Sequence, residues 1–223
     1  AAKRDEVPAP TPAEIARYGE REAWLRKVLW RDQRDSTRSL QWQYTPQAQP
    51  LLDVQLHLSR SSSRQDDRRP DSITSDFAAS LGKQSQAAYL DQQLELSNTA
   101  RFRAAGLDQQ LALGLQLHRH ERDTLMLLHT RTQDPSYNYG WLQPYYMPAG
   151  RQRNQSVWLE HRLDWGDFSL TPGLRHDRVR SEGRPNLAPR YNDPKAGHDY
   201  SAVTHAGWSG HLAASWRATV QTR

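Results

Sequence analysis

Residues 93–118 read QLELSNTARFRAAGLDQQLALGLQLH, and this stretch decides the fold. Mostly apolar residues occupy every second position on both sides of the Ala104–Leu107 connection, and Glu, Gln, Thr, Arg and Gly fall between them. A period of two places one row of side chains on an apolar face of a β-sheet and the other row on a polar face. The stretch therefore predicts an antiparallel hairpin with one apolar and one polar face.

The same alternation recurs along the chain. It begins at Ser39, so residues 1–38 are expected to form an N-terminal segment, partly helix and partly loop, with a helix capped by Thr11 from about Pro12. From Ser39 to the C-terminus the pattern predicts about seven strands. Their apolar rows, besides that of residues 93–118, are Leu40, Trp42 and Tyr44; Leu52, Val54, Leu56 and Leu58; Val157, Leu159, Leu163 and Trp165; Phe168, Leu170 and Leu174; and Trp208, Leu212, Ala214 and Trp216.

The connections between these strands alternate in length. Those near residues 45–50, 103–107 and 166–167 are short, whereas those near 61–88, 123–153 and 180–207 are long and polar. Long loops are uncommon in compact soluble domains. Short turns at one end and long loops at the other are typical of outer-membrane barrels, in which the short turns are periplasmic and the long loops extracellular. We therefore expect an all-β, antiparallel, up-and-down transmembrane barrel.

Aromatic residues support this interpretation, because several lie on the apolar rows close to the short turns. Rings at such positions form a girdle where hydrocarbon meets water. Bacterial single-chain barrels have an even number of strands, from eight upward, so about seven strands indicate a segment of a larger barrel. The predicted girdle residues are Tyr44, Phe102, Trp165, Phe168 and Trp216.

Composition limits the alternatives. The 223 residues carry 30 Lys and Arg against 25 Asp and Glu, a net charge of +5, and no run approaches the roughly 18 apolar residues of a spanning helix. Eight Trp and nine Tyr are too much aromatic surface for a disordered chain. The absence of Cys excludes disulfides and thiolate chemistry. A soluble basic β-domain that binds nucleic acid or glycan stays open as the alternative from another class.

The third hairpin and the loops around it resemble the TonB-dependent outer-membrane receptors. The turn Trp165-Gly166 followed by Thr171-Pro-Gly-Leu-Arg-His-Asp177 is similar to a recurrent pattern of these receptors, with His176 where they carry Tyr. Three further stretches are more similar to the haem and haemoglobin branch than to the siderophore branch. They are residues 186–192, 197–204 and 207–209.

The resemblance implies a barrel of about 22 strands around an N-terminal plug, located in the bacterial outer membrane. Its implied function is uptake of haem or haem-protein iron with energy from the TonB complex, through regions outside the resemblance. The transported ligand would be haem, no intrinsic cofactor is implied, and lipid and lipopolysaccharide would surround the barrel. A ferric-siderophore receptor stays open as the nearest alternative.

Two groups of side chains are candidates for binding. Tyrosines and histidines of the long loops suit haem, which offers an apolar plate and an iron with axial positions. Histidines of the polar rows are candidates for the lumen, although rim or lumen histidines in contact with water explain them as well. We find no catalytic arrangement, no resident metal site and thus no enzyme. The loop candidates are His129, Tyr137, Tyr139, Tyr191, His198, Tyr200 and His205, and the lumen candidates are His57, His118 and His120.

Overall fold

The computed structural model describes residues 9–69, 83–144 and 147–218. They form one antiparallel sheet in the order β1-β2-β3-β4-β6-β7-β8, with the two-residue strand β5 paired to the end of β4. The all-β, antiparallel, up-and-down topology predicted from the sequence is therefore confirmed. The strands are β1 Trp30–Tyr44, β2 Val54–Arg68, β3 Gln84–Ala104, β4 Leu107–Leu127, β5 Trp141–Leu142, β6 Gly150–Trp165, β7 Phe168–Gly183 and β8 Val203–Trp216.

Two short helices precede the sheet, α1 (Pro12–Tyr18) and α2 (Glu20–Leu25). The predicted start of the first helix is confirmed, because Thr11 and Glu14 form a reciprocal capping box around Pro12. Lys27 donates a hydrogen bond to Glu14 at 2.7 Å. This bond, with those from Thr11, lowers the pKa of Glu14 to about 2.

The strands are longer at the long-loop end than the alternation predicts. β1 begins at Trp30, so the expected start of the sheet at Ser39 is wrong, and β2 continues to Arg68 although a loop was expected from Ser61. Apart from Trp30, these added residues are polar on both faces, which leaves no alternation to detect. Backbone pairing is nevertheless continuous from Trp30 opposite Arg68, and Arg31 donates two hydrogen bonds to Asp67 across it.

Register separates the side chains into two faces. Leu40 lies opposite Leu58, Leu58 opposite Leu94 and Leu94 opposite Leu117, so the apolar rows of successive strands share one face. We call it the apolar face and the opposite one the polar face. Large side chains of the apolar face are uncovered, and Trp165 and Trp216 are each 73% exposed. No second layer of the described residues packs on this face, which fits a surface made for lipid rather than for a soluble core.

The five predicted girdle residues all lie on the apolar face. Trp165 is paired with Phe168 and Phe168 with Trp216, so three rings form a continuous row at the short-turn end. Tyr44 lies opposite Val54 near the β1–β2 turn and stacks on Trp42 at 6.0 Å. Among the described residues, the structure contains no helix of the length and apolarity needed to cross a membrane.

The row of aromatic rings runs obliquely across the sheet. Cross-strand partners followed from Tyr44 through each successive long strand lead to Gly210 on β8. Trp216 lies six residues beyond Gly210 along β8, toward the short turns. Six residues along the strands are about 20 Å, and six strand spacings are about 29 Å. A membrane surface can pass through both rings only if the strands are tilted by about 35° from the membrane normal. Strands of transmembrane barrels have tilts of this size.

The β1–β2 turn covers the part of β3 that extends beyond β2. Thr99 and Arg101 of β3 donate backbone hydrogen bonds to the carbonyl oxygens of Asp53 and Pro50, at 3.1 and 2.8 Å. The Asp53 carboxylate accepts hydrogen bonds from Gln43, Thr45 and the Arg101 guanidinium. These bonds, that from Gln43 first, lower the pKa of Asp53.

Asp53→Asn tests this clamp. The pKa of Asp53 is lower in the folded than in the unfolded protein, so its negative charge stabilises the turn fully at pH values above the unfolded pKa of about 3.9. This stabilisation is lost as the pH falls through the folded pKa. At pH 7 we expect faster amide hydrogen exchange at Thr99 and Arg101 in Asp53→Asn, measured by mass spectrometry. The control Asp108→Asn removes an exposed carboxylate 3.9 Å from Arg103, and equal acceleration in both variants would contradict the clamp.

Candidate functional site

Two of the long loops pack on each other at one end of the sheet. We call residues 128–149 loop A and residues 184–202 loop B. Met126 and Leu128 at the end of β4, Leu142 of β5 and Ala188 of loop B form a buried apolar cluster. Since members of both loops lose contact with water together, loop A and loop B constitute one structural unit rather than two independent loops.

A pair of buried amide side chains joins the loops. Asn186 of loop B donates to the Gln143 carbonyl oxygen at 2.6 Å, and its own side-chain oxygen accepts from the backbone N–H groups of Gln143 and Ala188. Gln143 returns a bond, because its side-chain oxygen accepts from the Leu187 backbone at 2.6 Å. Both side chains are nearly buried, at 5% exposure. Every polar group of the Asn186 amide therefore contributes to holding the loops together.

An aromatic cluster lies beside this amide pair. Tyr137 of loop A meets Tyr191 of loop B edge to face, with ring centres 5.9 Å apart, and Tyr191 meets His198 edge to face at 5.6 Å. Tyr200 donates its hydroxyl hydrogen to the Tyr191 carbonyl oxygen at 3.0 Å. We call these four residues the loop cluster. Four of the seven predicted loop candidates are thus brought together, although they come from two loops.

Positive charge surrounds the loop cluster. The guanidinium groups of Arg131 and Arg190 lie over the Tyr137 ring, 4.9 and 5.3 Å from its centre. Asp134 caps the short helical segment that carries Tyr137, and hydrogen bonds from Ser136 lower its pKa, helped by both arginines. The cluster therefore combines an aromatic surface with two cations that remain largely exposed.

His198 is the member of the loop cluster least engaged by the protein. Its Nδ1 atom is buried and has no hydrogen-bond partner among the described residues. Buried polar atoms without a partner are rare in folded proteins, and such an atom requires an explanation. Tyr200, in contrast, uses its hydroxyl group within loop B.

The other three loop candidates lie elsewhere. Tyr139 is 58% exposed and does not join the ring contacts of the cluster; its backbone and that of Asn138 are left-handed, with φ of 55° and 50°. His205 belongs to β8, on the polar face opposite Val179, because β8 begins before the loop was expected to end. The side chain of His129, the third candidate, lies outside the described residues.

The three lumen candidates lie on the polar face, as the alternation of side chains predicts. Ring nitrogens of His118 and His120 lie at hydrogen-bond distance, 2.8 and 3.0 Å, from the two carboxylate oxygens of Asp91 on β3. His57 lies 3.8 Å from Glu95. Sequence reasoning missed Asp91 because its partners are 27 and 29 residues away and only the β3–β4 register brings them together. No group of at least three potential metal ligands occurs among the described residues.

Polar side chains also connect the middle of this face. Gln116 donates to Glu95, Arg175 of β7 donates to Gln116 at 3.0 Å, and Arg175 is paired with Asp177 at 2.9 Å. The Trp158 ring covers Gly114, where a Cβ atom would lie 2.5 Å from it. The polar face therefore carries its own hydrogen-bond network, which suits a wall in contact with water or with polar protein surface.

Asn186→Ala tests the connection between the loops. It removes three hydrogen bonds and leaves buried groups of Gln143 unpaired, which costs about 1–3 kcal/mol. We expect faster cleavage of loops A and B in limited proteolysis, and we expect these loops to lose their protection from protease at a lower temperature. Cleavage within β3 and β4 should not change. Gln133→Ala, at an exposed position of loop A, is the control. Unchanged cleavage in Asn186→Ala would show that the amide pair does not hold the loops.

Comparisons with known proteins agree with this architecture. The family model described as TonB dependent receptor-like, beta-barrel matches residues 3–222. The TonB-dependent heme receptor A of Haemophilus ducreyi is 39% identical over 219 residues, which are 98% of this chain and 30% of that protein. The protein of the same name from Haemophilus influenzae Rd is 39% identical over 216 residues, 97% of this chain and 29% of that protein. The chain thus spans less than a third of the length of these relatives.

Two solved structures share the fold. The unliganded ferric citrate transporter FecA superposes with a TM-score of 0.57 at 14% identity, over 86% of this chain and 26% of that one. A double mutant of the Serratia marcescens hemophore receptor HasR, in complex with its hemophore HasA and heme, gives 0.50 at 17% identity, over 84% and 28%. At these identities the likeness concerns the fold alone.

Proposed function

The chain belongs to the family of TonB-dependent receptor β-barrels, and on that premise we propose that it forms part of an outer-membrane receptor that takes up haem or haem-protein iron. The resemblance to this family found in the sequence is confirmed. Family and relatives are receptors and transporters, so the expectation that the chain is not an enzyme is confirmed as well. Haem in this proposal is the transported ligand and not a resident cofactor.

Location in the outer membrane is supported by the uncovered apolar face. TonB-dependent receptor barrels are outer-membrane proteins, and the girdle rings fit one membrane surface at a tilt of about 35°. Leu212 and Trp208 of β8 are 71% and 68% exposed. A soluble β-domain would bury such side chains, so this observation favours lipid over the soluble alternative.

Extraction tests this location. We expect the protein to stay in the membrane pellet after washes with 1 M salt and with alkaline carbonate, and to be released only by detergent, because burial of the apolar face does not depend on charge. The test is the distribution of the protein between pellet and supernatant. Release by salt alone would support the soluble basic domain and reject the proposal.

The choice of haem as the ligand rests on the loop cluster. Haem needs an apolar or aromatic surface for its plate, cations for its two propionates and a nitrogen or phenolate oxygen for its iron. Tyr137 and Tyr191 provide rings, Arg131 and Arg190 provide cations, and His198 provides an imidazole. The names of the relatives independently suggest haem.

The energy source and partners follow from the family. We propose that captured haem leaves the loops for the lumen and passes a plug in a step driven by the TonB complex, which acts on regions outside the described sheet. The polar face, with its network from Glu95 to Asp177, would face the plug. A barrel of about 22 strands and the roles of His57, His118 and His120 as lumen residues belong to the same proposal.

Haemin titration tests the ligand. In protein extracted from the outer membrane in detergent, we expect a shifted Soret band with the wild type and an apparent Kd about tenfold higher in His198→Gln, since the variant loses an imidazole at the site. The control His205→Gln changes a histidine on β8, away from the loop cluster, and should bind like the wild type.

Other outcomes separate the alternatives. Equal affinity of both variants and the wild type would exclude His198 from the site. No spectral change with the wild type, together with binding of a ferric siderophore measured by fluorescence quenching, would replace haem by a siderophore as the transported ligand. Neither outcome alters the assignment to the family, which does not depend on the ligand.

A further inference from the structure

Four histidines of the polar face direct a ring nitrogen toward a carboxylate of another strand, and one of them differs from the rest in geometry. His118 and His211 use Nε2, the nitrogen far from the backbone, at 2.8 and 3.3 Å from the carboxylate. His57 turns Nδ1 toward its carboxylate, but the distance of 3.8 Å is too long for a hydrogen bond. Among the described residues, only His120 places Nδ1 at hydrogen-bond distance from a carboxylate, 3.0 Å from Asp91.

This geometry leaves the outer nitrogen of His120 available to a ligand. An ionised carboxylate only accepts hydrogen bonds, so Nδ1 carries the hydrogen and, in the neutral ring, Nε2 carries the lone pair. Within the described part of the chain, Nε2 of His120 forms no hydrogen bond. In His118 the arrangement is reversed, because Nε2 lies at Asp91 and the remaining lone pair is on Nδ1, beside the backbone. A bulky planar ligand therefore reaches the lone pair of His120 and not that of His118.

The pair of Asp91 and His120 has the arrangement of a metal-binding imidazole. A carboxylate that accepts from one ring nitrogen fixes the tautomer and the orientation of the ring, and it makes the other nitrogen a stronger ligand. The described residues hold no group of three potential ligands for a bare ion. Iron in haem is already bound by its macrocycle and needs only axial ligands from the protein. A single well-oriented imidazole therefore suits haem better than a free metal ion.

Side chains that suit the rest of a haem molecule surround His120. The Tyr89 ring lies 6.4 Å from the His120 ring, centre to centre, and the Tyr89 hydroxyl donates to the Met147 sulfur at 3.7 Å. Both side chains are partly exposed and offer surface to an apolar plate. Arg122 lies two residues from His120 on the same face of β4, and its Nε donates to the Pro148 carbonyl oxygen. The terminal nitrogens of this guanidinium are placed to pair with a propionate.

The end of loop A lies over this part of the polar face. The carbonyl oxygens of Met147 and Pro148 accept hydrogen bonds from Thr124 and Arg122 of β4, each at 2.9 Å. Loop A also carries Tyr137, a member of the loop cluster. The group around His120 thus adjoins the loop that holds part of the proposed capture site.

We propose that His120 is an axial ligand for haem iron at a second site, on the polar face beside loop A, with Asp91 as its positioning residue. The Nε2 lone pair binds the ferric iron, and no proton leaves because that nitrogen carries none. Tyr89 and Met147 contact the plate, and Arg122 pairs with a propionate. The inference rests on the proposed function. It adds a place on the barrel wall that holds haem after it leaves the loop cluster.

Haemin saturation of the complete receptor tests the second site. In protein extracted from the outer membrane in detergent, we expect His120→Gln to bind one haemin fewer per molecule than the wild type. Haem absorbance and native mass spectrometry measure this number. The matched control is His211→Gln, which removes an imidazole beside Glu160 on the same face and should bind as many haemins as the wild type.

Asp91→Asn tests the positioning role of the carboxylate. The amide has a similar size but is a weaker acceptor for the Nδ1 hydrogen of His120, so we expect the Kd of the second site to rise about tenfold. The iron–histidine stretching frequency of the reduced haem, measured by resonance Raman and assigned by its loss in His120→Gln, should fall. A purely structural role of Asp91 would not move this frequency. Glu160→Gln, which changes the carboxylate beside His211, is the control.

Several results would contradict the second site. Equal numbers of bound haemins in the wild type and in His120→Gln would overturn it, as would equal loss in His120→Gln and His211→Gln. Loss in His118→Gln but not in His120→Gln would show that the assignment of the free nitrogen is wrong. An unchanged stretching frequency in Asp91→Asn would remove Asp91 from its positioning role.

One further variant separates this site from the proposed function. His198→Gln should weaken capture at the loop cluster but retain the haemin held by His120. If the wild type shows no Soret shift at all, the haem function itself is rejected, and the second site with it. If the wild type binds haemin but His120→Gln loses none, the function stands and the second site alone is rejected.

Discussion

Continuous antiparallel pairing from β1 to β8 is the constraint on which the rest of the structure depends. It gives each strand residue a fixed partner and a fixed face, and a shift of one residue would move every side chain to the other face. The apolar rows form one continuous apolar face, and the polar rows form a hydrogen-bonded polar face, only because the register is kept over all six intervals between the long strands. The described residues thus form an ordered sheet although few of their side chains are buried.

The same register explains which features could be predicted from the sequence. Alternation identified the strands wherever the two faces differ chemically, as in residues 93–118, and the short turns followed from it. It failed beyond Ser39 toward Trp30 and beyond Ser61 toward Arg68, because both faces are polar there and no period of two exists. Those strand ends are maintained by backbone pairing and by ion pairs such as Arg31 with Asp67.

The candidate site was less predictable than the fold. Residue type alone selected Tyr137, Tyr191, His198 and Tyr200, but it gave no means to separate them from Tyr139 and His205. The separation depends on the contact between two loops about 50 residues apart, which the Gln143–Asn186 amide pair establishes. An amide in a polar loop carries no signal of such a role. The contacts of Asp91 with His118 and His120 likewise depend on register between distant residues.

The two outermost strands have a consequence for how this part of the protein acquires its stability. β1 and β8 are the ends of the strand order, so each has one side whose N–H and C=O groups pair with no described strand. In hydrocarbon every such group left without a partner costs several kcal/mol. In the proposed outer-membrane barrel, pairing with neighbouring strands would remove this cost, and the closed ring would be the unit that unfolds cooperatively. A substitution in one strand would then change the free energy of unfolding of the whole ring of strands.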